Sequence, residues 1–427
     1  MTALKISEIN EGATYSAPVY LDSQFLLLDE MQPFSASLKR FLVEWGFKEV
    51  LTEGEPQERL RKSMPKAKPA LNASSFETVD INAVFNDEEE PKDRTAIETN
   101  QQLAEVIEKA QKEIAALSEY DIEGKIAVSG NVYNSFKDYI SKIYTRFVTH
   151  RELKIGLLSE AVQILCDFMK NNRKYLLQIN PLPGDKIDKN FIVNHSLRST
   201  IYALTIGQNL RMPNLKLVEL GVAALLHEIG QIRLPPQLYL TDRRLLPNER
   251  QVLMTHTILG YNILKENGFP LSIQVGVFEH HERENGKGYP RKISGNQISL
   301  YGKILSVVCS FEAISAPRHY KEMKSTHEAM IEMLKNQDKQ YDDTVIKALV
   351  QSVSLFPIGG YVFLANGKVA QVVDTNGIDP RMPIVQILGE RDANGFPRTI
   401  QTNSDKFKII RALTKNEIAS VLKALKK

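Results

Sequence analysis

The chain has 427 residues, 43% hydrophobic and 25% charged, the proportions of an ordinary globular protein long enough for about three domains. Lys plus Arg number 54 and Asp plus Glu 51, so a net charge of +3 gives no reason to expect a DNA or RNA duplex as partner. Cys166 and Cys309 lie far apart and form no C-x-x-C pair, which excludes a disulfide framework and points to a reducing, cytoplasmic setting. The amino terminus lacks the pattern of a secretory signal, and no apolar run is long enough to span a bilayer.

In chain order, residues 1–53 read as a small α+β unit. ATYSAPVYLD and FLLLDE are short strands, SASLKRFLVEWGF has helical spacing with Trp45 on its apolar face, and KEVLT is a returning strand. Residues 54–102 are rich in proline and mixed charge and read as a polar linker, disordered in part. Residues 103–184 form a helical connector: LAEVIEKAQKEIAAL, YNSFKDYISKIYTRFV and IGLLSEAVQILCDFMK each space apolar residues three and four apart. Residues 185–352 continue as helices broken by proline- and glycine-containing loops. In residues 353–427, YVFLANGKVAQVV is a hairpin on Asn366-Gly367. MPIVQILGERDANGFPRTI repeats the pattern, and KNEIASVLKALKK is a closing helix.

Five of the eight histidines, His195, His227, His256, His280 and His281, fall on four helical segments within residues 185–352. Helices packed together can aim side chains from distant parts of a chain at one point in the core. Imidazole suits iron, manganese and zinc, with carboxylates completing the shell. His227 ends the apolar run GVAALLHEIG and is followed by Glu228, a pair too costly to bury without partners. Neighbours on a helix point about 100° apart, so His280 and His281 suit two ions better than one, with Glu228 as a bridge. Two such ions can drive a phosphoryl displacement. Any one of these histidines alone is more simply a hydrogen-bonded core residue; the group and its two pairs favour ligation. The loop HERENGKGYPRK adds Gly286 and Gly288, which let backbone approach a ligand closely, and Tyr289-Pro290, which stiffens the turn. Its cations, and Arg318 and Lys321 further on, place positive charge nearby; Lys287, Arg291 and Lys292 read as solvated surface charges.

HSLRST, LLHEIGQIRLP, MTHTILGYNIL, HHERENGKGYP and SFEAISAPRHYK, in this order and spacing, resemble the HD-GYP family of bacterial phosphohydrolases over about residues 185–350. The resemblance implies a mainly α protein: an all-α HD-type helical domain, with the small α+β unit before it and the β extension after it. It also implies hydrolysis of the messenger cyclic di-GMP to pGpG or GMP at a two- or three-metal centre; for this chain one or two divalent transition-metal ions, iron or manganese, are expected. Position by position, His195, His227, Glu228, His256, His280, His281 and Cys309 match metal-ligand positions. Glu228 and Gln231 fall at catalytic positions, and Arg283, Tyr289, Arg318 and Lys321 at substrate-binding ones. A signalling protein reaching the N-terminal unit or the GYP loop is a further expected partner, and a homodimer stays open.

This chain departs from the family pattern at four places. Glu228 replaces the aspartate of the HD pair, Gln231 a lysine, Cys309 an aspartate ligand and Asn285 the loop aspartate. A thiolate is a softer ligand than a carboxylate and favours different ions. Phe191 stands where members with a third ion carry an acidic residue, so at most two ions are expected. Because Glu228, Gln231 and Cys309 all touch the reactive centre, a degenerate protein that binds nucleotide or partner without turnover is the alternative.

Overall fold

Apolar residues at helical spacing become three long helices, α1 (Ala96–Ala116), α2 (Ile122–His150) and α3 (Ile155–Leu176). Asp121 starts α2 by accepting from the Gly124 amide at 2.8 Å, and Arg151 ends it in the left-handed conformation. The computed structural model describes residues 2–20, 26–28, 34, 39, 42, 43, 48–57, 96–179, 191–239, 241, 243, 245–315, 326–353, 355, 356, 358–376, 379, 381–403, 405–413, 417, 418 and 421. Trp45, Arg318, Lys321, residues 58–95 of the expected linker and most of the expected closing helix lie outside the described residues, while residues 96–102, expected as linker, begin α1.

The histidine-bearing region follows as α4 (Phe191–Asn209), α5 (Asn214–Leu226), α6 (Pro247–Met254), α7 (His256–Glu266) and α8 (Leu271–Glu279). It continues as α9 (Leu300–Ser315), α10 (Thr326–Lys335) and α11 (Asp343–Ser352). From Ile192 to Gly207, α4 is buried on almost every face, as a helix inserted through a core must be. One continuous cluster of buried side chains runs from Leu103 on α1 to Leu355, so the first three helices share a core with the later ones. Tyr144 of α2 ties the two regions together, with its hydroxyl 3.1 Å from Ser196 Oγ on α4 and donating to the Leu225 carbonyl of α5 at 3.0 Å.

Two small β units flank the helices. At the amino end, β1 (Thr2–Lys5), β3 (Val19–Tyr20), β4 (Leu26–Leu28) and β5 (Glu49–Thr52) form an antiparallel sheet in the order β1-β5-β3-β4, and β2 (Thr14–Tyr15) pairs with β6 (Pro56–Gln57). At the carboxyl end, β7 (Tyr361–Leu364), β8 (Val369–Asp374), β9 (Ile384–Arg391), β10 (Pro397–Gln401) and β11 (Ile409–Ala412) form an antiparallel sheet in the order β10-β9-β8-β7-β11. Both expected hairpins are there, with Gly367 and Gly395 at positive φ in their turns. The sheet packs Val362, Leu364, Val372 and Val385 against Ile122 and Tyr175, which sit on α2 and α3. The protein is thus mainly α, with small sheets at both ends.

One close approach positions the site. A 3-10 turn, Ile229–Arg233, follows α5, and its Gly230 lies against the start of α7. A Cβ on Gly230 would collide with the His256 carbonyl oxygen and stand 2.6 Å from the Gly260 nitrogen, both backbone atoms with no rotamer to move. Gly230→Ala is therefore expected to cost about 3 kcal/mol, the upper end for overpacking, read as a lowered denaturant midpoint at unchanged slope.

Candidate metal centre

Three helices end at the same place by the same local device. A helix leaves its last carbonyls without amide partners. At the end of α5, His227 Nδ1 lies 2.7 Å from the Ala224 carbonyl oxygen; after α6, His256 Nδ1 lies 2.7 Å from that of Leu253. At the end of α8, His280 Nδ1 lies 2.5 Å from that of Val277. A carbonyl oxygen can only accept, so each Nδ1 carries the proton. In a neutral ring, Nε2 is then a bare lone pair directed away from the helix end.

Those lone pairs converge. His256 Nε2 lies 3.1 Å from His280 Nε2, and His227 Nε2 lies 3.1 Å from His195 Nε2 on α4. Burial, together with neighbouring imidazoles, pushes His256 below the usual histidine range and His280 and His281 well below it. Where both rings are neutral, two acceptors face each other at hydrogen-bond distance without a proton between them. A cation between them removes that conflict, so these residues fit a metal ion. His195 differs. Burial opposes its charge, but Glu312, then Cys309 and Glu228, raise it well above the usual range.

Glu228 occupies the centre of the cluster. Its Oε1 is 3.5 Å from His195 Nε2 and 3.8 Å from His227 Nε2, and its Oε2 is 3.3 Å from His256 Nε2. Burial favours the neutral carboxyl, but the surrounding imidazoles, His256 foremost, hold it well below the usual range. Gln231 donates its side-chain amide to Oε2. Two groups of ligand atoms result, each within 4.8 Å: Glu228, His256, His280 and His281, and His195, His227 and Cys309. All seven expected metal-site residues are thus brought together. The sequence suggested different ions for His280 and His281; here both fall in the first group of ligand atoms. The 100° rule fails here because α8 ends at Glu279 and the pair stands beyond it.

The GYP loop closes over one side of this cluster. Tyr289 stacks on His281, ring centroids 4.6 Å apart, and its amide donates to the His281 carbonyl at 3.1 Å. Gly288 permits this: a Cβ there would lie 2.5 Å from Glu282 Cα and 2.6 Å from the His281 carbonyl oxygen. Arg283 is held by α9, donating to Ser306 and to Ser310 Oγ at 3.2 Å, with its guanidinium over the Tyr341 ring. Arg291 is not the solvated charge expected of it. It pairs with the buried carboxylate of Glu279, which also accepts from the Ser299 amide at 2.7 Å, so it fastens the loop's far end.

Sequence reasoning missed Glu312. Its Oε2 lies 2.5 Å from His195 Nδ1, and its Oε1 lies 3.5 Å from Arg198 Nε. A carboxylate behind a ligating imidazole fixes ring orientation and raises donor strength. The signal was its position three residues after Cys309 on α9, which puts both on one face.

A family model described as HD domain matches residues 186–345. The chain is 26% identical over 240 residues to cyclic di-GMP phosphodiesterase PdeB of Borreliella burgdorferi, covering 55% of this chain and 62% of that protein. It is 34% identical over 149 residues to a cyclic di-GMP phosphodiesterase of Thermotoga maritima, covering 34% of this chain and 40% of the relative. Residues 186–345 form an HD-GYP-like domain. The chain therefore spans between 40% and 62% of the length of these two relatives. Among solved structures, an HDG“Y”P protein of Bdellovibrio bacteriovorus aligns with a TM-score of 0.46 at 13% identity, over 82% of this chain and 97% of its own. No helix among the described residues is long and apolar enough to cross a membrane.

In the HD-GYP-like domain Glu312 works through His195, so Glu312→Gln should weaken divalent-ion affinity roughly 10- to 100-fold. Titration of the metal-free protein with manganese, followed by calorimetry, reads this directly. An unchanged affinity removes Glu312 from the site.

Proposed function

We propose that this chain is a metal-dependent phosphodiesterase that opens the phosphodiester bonds of cyclic di-GMP, giving pGpG or GMP. The observation that carries the reading is the arrangement of two groups of buried ligand atoms spanned by one carboxylate, Glu228. His195, His227, His256, His280, His281, Glu228 and Cys309 would hold one or two divalent ions, iron or manganese. Bound ions of this kind supply Lewis acidity to both the attacking and the leaving oxygen of an in-line phosphoryl displacement.

The chain's own residues supply the rest. The three carbonyl-anchored imidazoles are locked before any ligand arrives, and preorganised polar groups lose nothing to reorientation during reaction. Gln231 keeps Glu228 from swinging away from the histidines. Tyr289, stacked on His281, offers a flat face and a hydroxyl beside the cluster, suited to orienting a nucleotide. Arg283 stands at the loop's root. Its ties to Ser306 and Ser310 hold its positive charge in place beside the loop, where the family resemblance puts a substrate contact. Arg318 and Lys321 are assigned to the substrate phosphates by the family resemblance alone.

One observation favours a second reading, binding without turnover. The group on Glu228 is the neutral amide of Gln231, where the resemblance implies a lysine able to contact a phosphate. A single assay separates the two. Manganese- or iron-loaded protein is expected to hydrolyse cyclic di-GMP, and His256→Ala to lower the rate at least about 10²-fold, the scale of losing one preorganised group. Cyclic di-GMP that binds yet stays intact establishes the second reading.

A further inference from the structure

The two ligand groups are chemically unlike. One offers three imidazole nitrogens and a carboxylate oxygen, from His256, His280, His281 and Glu228; the other offers two imidazole nitrogens and a sulfur, from His195, His227 and Cys309. Glu228 divides its oxygens between them, with Oε1 facing His195 and His227 and Oε2 facing His256. The sulfur is no accident of core packing. Cys166, the other cysteine, lies on α3 within the apolar core, as a small hydrophobe should. Cys309 is equally buried on α9, yet it falls within ligand distance of two imidazoles.

Ligand type selects the ion. Thiolate favours zinc and other thiophilic ions, whereas imidazole with carboxylate accommodates manganese and ferrous iron as well. We propose that the centre is a mixed one, with a thiophilic ion such as zinc held by His195, His227 and Cys309. A harder divalent ion such as manganese is held by His256, His280 and His281, and Glu228 spans the two. This rests on the metal-centre reading above and narrows it, with a thiophilic ion in place of iron or manganese in the sulfur half. Oxygen-only ions, magnesium and calcium, are excluded from the sulfur half by the same chemistry.

The test is spectroscopic and needs no substrate. The full chain is stripped with chelator and loaded with cobalt(II) alone. The wild type is expected to bind two cobalt ions and to show a near-ultraviolet sulfur-to-cobalt charge-transfer band. Cys166→Ser should keep the band; Cys309→Ser should lose it together with one ion. Cys309→Asp should lose the band but keep both ions, which shows that the fold and the second half survive. One equivalent of zinc added to the cobalt protein should abolish the band and leave the ligand-field absorption of the other cobalt. Cobalt bound without the band, or a band that survives in Cys309→Ser, overturns the proposal while leaving a metal centre in place. A chain that binds no cobalt overturns both the proposal and the metal-centre reading.

Discussion

The facing lone pairs of His256 and His280 set the terms for the whole molecule. Their Nδ1 protons are committed to backbone carbonyls, so their Nε2 atoms cannot satisfy each other across 3.1 Å. Such an arrangement persists only where positive charge is brought between them. The backbone helps to attract it. The C-termini of α5 and α8 end at His227 and His280, each carrying roughly half a negative charge, whereas that of α6 is offset by the N-terminus of α7 at His256. Imidazole lone pairs, a buried carboxylate and two negative helix ends together favour a cation at this place.

Holding these groups in a dry interior is the task of the surrounding core. α4 and α9 are sheathed in aliphatic and aromatic side chains, and their functional residues, His195 and Glu312, meet where the two helices touch. Glycine supplies the clearance. Gly230 brings the Glu228 turn onto α7, and Gly288 brings the GYP loop onto the histidine pair. Both close approaches are between backbone atoms, so they fix distances that side-chain repacking cannot recover. This is why the ligand geometry depends on residues that never touch a ligand.

Much of this was legible in the sequence because residue type and placement carried it. A His-Glu pair at the end of an apolar run, and two adjacent histidines before a glycine-rich loop, announce buried polar groups that need partners. Their joint location on packed helices then brings the ligand groups together. What was not legible depended on where helices stop and on contacts far apart in sequence. His280 and His281 share a group because α8 ends at Glu279, one residue before them, and periodicity does not mark that boundary. Glu312 shares a helix face with Cys309, but its partner His195 becomes apparent only when α4 is laid beside α9. Arg291 looked like a surface charge because its partner, Glu279, is buried twelve residues earlier on a different element. Strand β11 escaped notice for the same reason: its partner is β7, and no local turn announces the pairing.

Two of the replacements that set this chain apart from the HD-GYP pattern, Glu228 and Gln231, meet at one carboxylate. A glutamate side chain is one methylene longer than aspartate, and here that length lets a single carboxylate reach His195, His227 and His256 at once. Its neighbour Gln231 donates a hydrogen bond but contributes no charge. A lysine at that position would neutralise the carboxylate in the absence of metal; an amide leaves the anion to the ions alone. A thiolate at Cys309 would carry the same charge as the aspartate it replaces, so it changes the ligand's softness and not the balance. The amide at position 231 is thus the replacement that raises the centre's demand for cations, since it removes a positive charge beside Glu228. Under the proposed function, the pull on a phosphate would then fall to bound ions rather than to a side chain at position 231.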